Sequence, residues 1–172
     1  MRHLIKGDYM EFNKTVSNPL LVGAMELLKA EDSPEHRNLF ISEVVKAHFM
    51  APAIITPAPE PNASGELRVA PGSQVQFPML STQDGKHFFM AFTDKMEYDK
   101  WKDSEGKNFF SITFDDLAAM MFRKDSQGKV SPSLGFVINP FGANMIIPKE
   151  TVASLFAAKM QKGQPTPPPT GK

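Results

Sequence analysis

Two short stretches place residues where α/β proteins do chemistry: Phe92-Thr93-Asp94 and Val137-Ile138-Asn139-Pro140-Phe141-Gly142. Each joins the end of a hydrophobic run to the start of a new element. Ligands gather at the carboxyl ends of strands in open α/β sheets, and a helix N-terminus can hold an anion. Thr93 is therefore the candidate ligand-binding residue, for an amino acid or another small metabolite. The same residues have a simpler reading: Thr93 and Asp94 cap a helix, and Asp94 would repel an anion. In the second stretch Pro140 and Gly142 suit a tight turn, because Pro presets φ and Gly tolerates positive φ. That turn would hold Phe141 at its tip. A surface aromatic in a rigid turn is a plausible hot spot, so Asn139 and Phe141 are the candidate partner-binding residues.

Other residue types that carry chemistry lack the spacing it needs. Asp115 and Asp116 are adjacent, and adjacent helical side chains diverge by about 100°. They read as acidic groups placed favourably in the first turn of a helix. His3, His36, His48 and His87 match no metal-ligand pattern. There is no cysteine, which excludes disulfides, thiolate metal sites and a cysteine nucleophile. No serine sits in a nucleophile elbow, and no glycine-rich loop resembles a nucleotide site. No catalytic residue, metal or cofactor is therefore expected, and the chain reads as a non-enzyme. Met120-Met121 reads as core filler rather than an adaptable groove.

The elements that must position these residues follow from punctuation and periodicity. Asn18-Pro19 and Ser33-Pro34 each open a helix, with Pro at the first helical position. Leu21, Ala24, Met25 and Leu28 make one face of the first helix; Phe40, Val44 and Ala47 make one of the second. His48 is expected near the end of that second helix, beside its terminal carbonyls. The helices should pair as an antiparallel hairpin. Ala53–Thr56 reads as a strand. Pro57–Ser73, rich in Pro, Gly and Ser, is expected to be a disordered loop. Val75, Phe77 and Met79 alternate as one half-buried strand, with Pro78 at its edge or end. Asp84-Gly85 turns it into Phe88–Phe92, apolar on both faces and so central. Helices follow at Asp94 and Thr113, with Met96 and Trp101 facing inward, and Phe109–Ile112 is a strand between them. Gly135–Ile138 and Asn144–Ile147 form a last hairpin, and Pro148 opens the final helix.

The expected fold is α/β (α+β): one mixed sheet of five or six strands flanked by helices. Right-handed strand–helix–strand crossovers would make part of the sheet parallel. Residues 1–17 are read as a loosely attached arm, 18–162 as the domain, and 163–172 as a disordered Pro-rich tail.

In order and spacing, Asn18-Pro19-Leu20-Leu21, Phe77-Pro78-Met79-Leu80 with Asp84-Gly85, Phe92-Thr93-Asp94 with Trp101, and Ile138-Asn139-Pro140 with Gly142 resemble the N-terminal domain of the SseB (enhanced serine sensitivity) family. The resemblance covers about residues 18–160. It implies a bacterial cytosolic protein, and it supplies no catalytic residue. Longer members carry a second domain where this sequence has a Pro-rich run. Charge agrees with a protein partner. Nineteen basic and 19 acidic residues give zero net charge, against a nucleic-acid or membrane-surface binder. Residues 1–6 hold no apolar run of signal-peptide length, so a cytoplasmic location is expected. A homodimer through an edge strand is an open possibility.

Overall fold

A computed structural model describes residues 2–3, 11–104 and 108–162. Strands β1 (Arg2–His3) and β2 (Glu11–Phe12) lead into helices α1 (Pro19–Ala30) and α2 (Pro34–Lys46). The long strand β3 (His48–Thr56) follows, then β4 (Glu60–Pro61) and β5 (Leu67–Arg68). Strands β6 (Gln74–Gln76), β7 (Met79–Ser81) and β8 (His87–Ala91) precede the short helix α3 (Lys95–Asp99). Then come β9 (Asn108–Thr113), α4 (Phe114–Phe122), β10 (Gly135–Ile138), β11 (Met145–Pro148) and α5 (Lys149–Lys162).

The class is α+β with mixed strands, as expected, but there is more than one sheet. A five-stranded sheet has the order β1-β6-β3-β9-β2, a four-stranded sheet β11-β10-β8-β7, and β4-β5 is a separate hairpin. The two large sheets meet at one point. Met50 and Phe92 exchange both backbone hydrogen bonds, at 2.9 Å each. On the side away from Phe92 β3 pairs with β9 from His48 to Ala53; on the Phe92 side, further along, Ile54 to Thr56 pair with β6. Proline 52 fits inside this strand for a reason of parity. In an antiparallel ladder alternate residues direct their amides to opposite sides. Residue 52 therefore faces the same side as residue 50, into the gap between the Phe92 bridge and the β6 pairing. No ladder bond is lost there.

Proline 78 has the opposite effect. The alternating run at residues 75–79 is two strands, not one: β6 ends at Gln76, β7 begins at Met79, and they belong to different sheets. The Pro lacks the donor a continuous strand would need, and the chain passes between sheets there. The crossovers also differ from expectation. Strand β8 pairs in parallel with β10, whereas β9 is antiparallel to β3 and β2.

Side-chain alternation gives β3, β8, β9 and β10 two buried faces each. Phe49, Ala51, Phe89, Ala91, Phe110, Ile112, Phe136 and Ile138 enter a large core with α1, α2, α4 and α5. Met50, Phe88, Met90, Phe92, Phe109 and Val137 enter a second cluster with Tyr98 and Trp101. Strand β8 is thus central and covered on both faces, as its uninterrupted apolar run predicts. Trp101 is buried, but Met96 is exposed: α3 is one short turn and a half, and Met96 lies on its outer side.

Local chemistry explains the helix starts. Ser33 Oγ accepts from the His36 amide, and Asp94 Oδ1 accepts from the Glu97 amide. Thr113 and Asp116 form a reciprocal capping box, each such cap contributing roughly 1 kcal/mol. Asp116 is therefore a cap, while Asp115 pairs with Lys159. Helix α2 stops at Lys46, so His48 opens β3 rather than closing the helix. The Pro57–Ser73 segment carries the β4–β5 hairpin, turned by Asn62, whose Oδ1 accepts from the amides of Ser64 and Glu66. The N-terminal stretch joins the fold through β2. Phe12 packs on Phe110, and the Asn13 side chain bonds the Phe109 amide and Asn108 Oδ1. The Pro-rich run from residue 163 lies outside the described residues.

Candidate functional site

The two stretches that could carry chemistry meet in space. Thr93 follows β8 and is fully buried. Its amide donates to Asn139 Oδ1 at 3.0 Å, and Asn139 Nδ2 donates to Thr93 Oγ1 at 2.9 Å. The Thr93 hydroxyl in turn donates to Asp94 Oδ2 at 2.9 Å. The Thr93 carbonyl accepts from Asn18 Nδ2 at 2.8 Å, and the same amide group reaches the His48 carbonyl at 2.7 Å. Thus every polar group of Thr93 is engaged, and none is turned to a ligand.

Asn139 is held as firmly. Its amide continues the parallel ladder to the Ala91 carbonyl, and its carbonyl accepts from Gly142 and Asn144. Its φ is 50°, in the left-handed region that Asn tolerates better than most residues. A backbone turned this way aims the side chain back at Thr93 while the chain reverses towards β11. Asn18 occupies the N-cap position of α1 but makes no side-chain cap. It spends its amide group on the ends of β3 and β8 instead. An Asn before Pro predicts a helix cap, and nothing local shows the two distant carbonyls it serves instead.

Phe141 behaves as the turn predicts. One ring face stacks on Phe92, with centroids 6.4 Å apart and planes 17° from parallel. The rest of the side chain is in solvent, 43% exposed. Beside the Thr93–Asn139 contact lies a cleft of about 300 Å³, lined by Glu26 and Lys29 of α1, by Asp94, Glu97 and Lys100, and by Gly142. Glu97 Oε1 accepts from Lys100 Nζ at 2.6 Å. Its Oε2 is buried without a donor and lies against Gly142, where a Cβ would overlap it. Gly142 does not take the positive φ expected of it, which falls to Asn139 instead, and a side chain at 142 would need the Glu97 carboxylate to swing aside.

Tyr98, beneath Phe92 in the second cluster, also has a buried oxygen without a partner. Burial pushes its phenol up to about 12, with the Asp99 charge adding to the shift. Among the described residues no group of three His, Asp or Glu side chains is placed to hold a metal ion. No helix among them is long and apolar enough to cross a membrane.

The family model of the SseB protein N-terminal domain matches residues 21–154. This chain belongs to the SseB family. The match spans the α1–α5 region and both stretches that meet at Thr93, so the SseB domain is the unit whose geometry is described above. No curated protein and no solved structure matches the chain.

Proposed function

We propose that this SseB domain is a non-enzymatic interaction module of the bacterial cytoplasm, binding a protein partner at the strand ends around Phe141. One observation carries the reading. Three large apolar side chains are exposed on three segments that converge on Thr93. Phe141 (43% exposed) follows Asn139, Met96 (78%) follows Asp94, and Leu20 (72%) follows Asn18. Each lies within a few residues of a group hydrogen-bonded at that buried point, so the three are held by a rigid base. Rigid presentation of apolar groups lowers the ordering cost of binding. Zero net charge and the absence of cysteine are in keeping with a cytoplasmic protein partner.

The test is Phe141→Ala. Half of the side chain is already in water, so Tm should fall by no more than about 2–4 °C. Capture of an identified partner from the native host should weaken at least about tenfold. Undiminished capture by the variant would remove Phe141 from the contact face.

A second reading, a small-molecule domain, is favoured by the cleft beside Thr93 and the unpartnered Glu97 Oε2. A ligand bearing an amine would supply the missing donor. The groups that meet it would be Glu97 and Asp94 rather than the enclosed Thr93. In a thermal-shift screen of amines and amino acids, one saturable rise that Glu97→Gln abolishes would support this reading. A flat screen would leave the protein-contact reading alone.

A further inference from the structure

A second surface, on the helical hairpin, carries more specific information. Helix α1 has two apolar faces. Leu21, Ala24 and Met25 point into the core. Leu20 and Leu27 point outward with Gly23 between them, at i, i+7 and i+3. Leu39 of α2 adds a third exposed leucine across a groove of about 620 Å³. Gly23 and Ala24 line that groove between the leucines.

Gly23 has no role in the fold that an alanine would not fill better. It sits inside a helix, where Gly is disfavoured relative to Ala. It is not among the residues with positive φ, and a Cβ built there meets nothing within 4 Å. What the missing methyl leaves is depth: a second helix can approach the α1 backbone closely at this point.

The groove also states the charge of its occupant. Its ionisable lining residues are two carboxylates, Glu26 and Glu43. Glu43 has Lys46 at 3.4 Å, and Glu26 has no ion-pair partner among the described residues. Lys29, one turn from Glu26, lines the cleft beside Thr93 and not this groove. A second copy of the chain is a poor occupant, because it would offer this groove the same acidic lining, with no Lys or Arg among its residues, and so no complementary charge. A proline-rich segment is a poor one too, since grooves that read polyproline are lined with aromatic rings and this lining has none.

We propose that the α1–α2 groove docks an amphipathic helix of a partner protein, with a small-residue and leucine ridge on Gly23 and Lys or Arg flanking it towards Glu26 and Glu43. The site is separate from the Phe141 face, sharing Leu20 with it and Glu26 with the cleft beside Thr93.

The experiment uses the full chain and labelled helical peptides with one Leu/Ala ridge, flanked by Lys in one and by Glu in another. A peptide of the chain's own residues 163–172 is the third probe. Fluorescence anisotropy should show saturable binding of the Lys-flanked peptide, at least about tenfold tighter than the other two. Gly23→Ala is the decisive variant. It should raise Tm by about 2–4 °C and weaken the Lys-flanked peptide about tenfold, a pair of changes that misfolding cannot produce. Phe141→Ala should leave this binding unchanged, which separates it from the other face. The proposal is overturned if flank charge makes no difference, if Gly23→Ala binds as well as the parent, or if no peptide binds. Light scattering that shows a dimer broken by Gly23→Leu would overturn it in favour of a second copy.

Discussion

At the scale of single residues, the polar groups that look chemical are mostly structural. Asn139 satisfies the buried Thr93 amide and hydroxyl while holding a left-handed turn. Asn139→Ala should cost about 2–4 kcal/mol, from an unpaired buried amide plus left-handed strain. Asn139→Gly keeps the turn and loses only the amide bonds, so it should recover about 1 kcal/mol of that loss. Urea melts of the two variants measure the difference. Tyr98 gives the opposite sign. Its hydroxyl is buried without a partner, so Tyr98→Phe should be neutral or stabilise by about 1 kcal/mol at neutral pH. The pH dependence follows from the same burial. The unfolded phenol ionises near 10.0 and the folded one near about 12. Between those values only the unfolded state has released its proton, so raising pH favours unfolding. Tyrosine 98 should thus leave stability untouched below its unfolded pKa and remove about 2 kcal/mol by its folded one. Melts of Tyr98→Phe should lack that part of the alkaline loss; identical alkaline curves would contradict the assignment.

At the scale of elements, proline and glycine decide where strands may run. Pro78 separates β6 from β7, while Pro52 is tolerated because its amide position faces a gap in the pairing. Both prolines are visible in the sequence, yet they have opposite consequences. Which one interrupts a strand depends on the neighbour across the ladder, which local pattern does not specify. Gly135 opens β10 at φ 148°, and a Cβ there would overlap the Ile147 carbonyl of β11. Gly135→Ala should therefore cost about 2 kcal/mol or more, because the atom it meets is backbone and cannot rotate away. A fall of less than about 2 °C in Tm would show that β11 can shift aside. The capped helices were legible in advance because Ser33, Asp94 and Thr113 act within three residues of themselves. Met96 was not: apolar type predicts burial, but α3 is too short to have an inner face that includes it.

At the scale of the whole molecule, β3 couples two sheets and their two hydrophobic clusters. Phe92 is the joint. It bridges Met50, lies fully buried in the second cluster, and supports Phe141 from below. Phe92→Ala should cost about 3–5 kcal/mol. Because the sheets share this joint, the variant should still unfold in one transition. Trp101, the sole tryptophan, reports the second cluster, and far-UV circular dichroism reports the helices on the first. Coincident curves from the two probes are expected; separated curves would mean that the two clusters, one on each face of the sheets, unfold independently.

The sequence by itself determined the α+β class, most helix starts, the two-faced burial of β8, the turn that exposes Phe141, and membership of the SseB family. Those features rest on interactions between near neighbours or on residue type repeated at a fixed period. Only the tertiary structure decided that β8 pairs with β10 and not β9, that Asn18 and Asn139 converge on Thr93, and that Gly23 lines a groove between α1 and α2. Each of these depends on which distant segment supplies the missing hydrogen bond or covers the apolar face. That choice is made by burial and polar satisfaction summed over the whole chain, and no short stretch contains it.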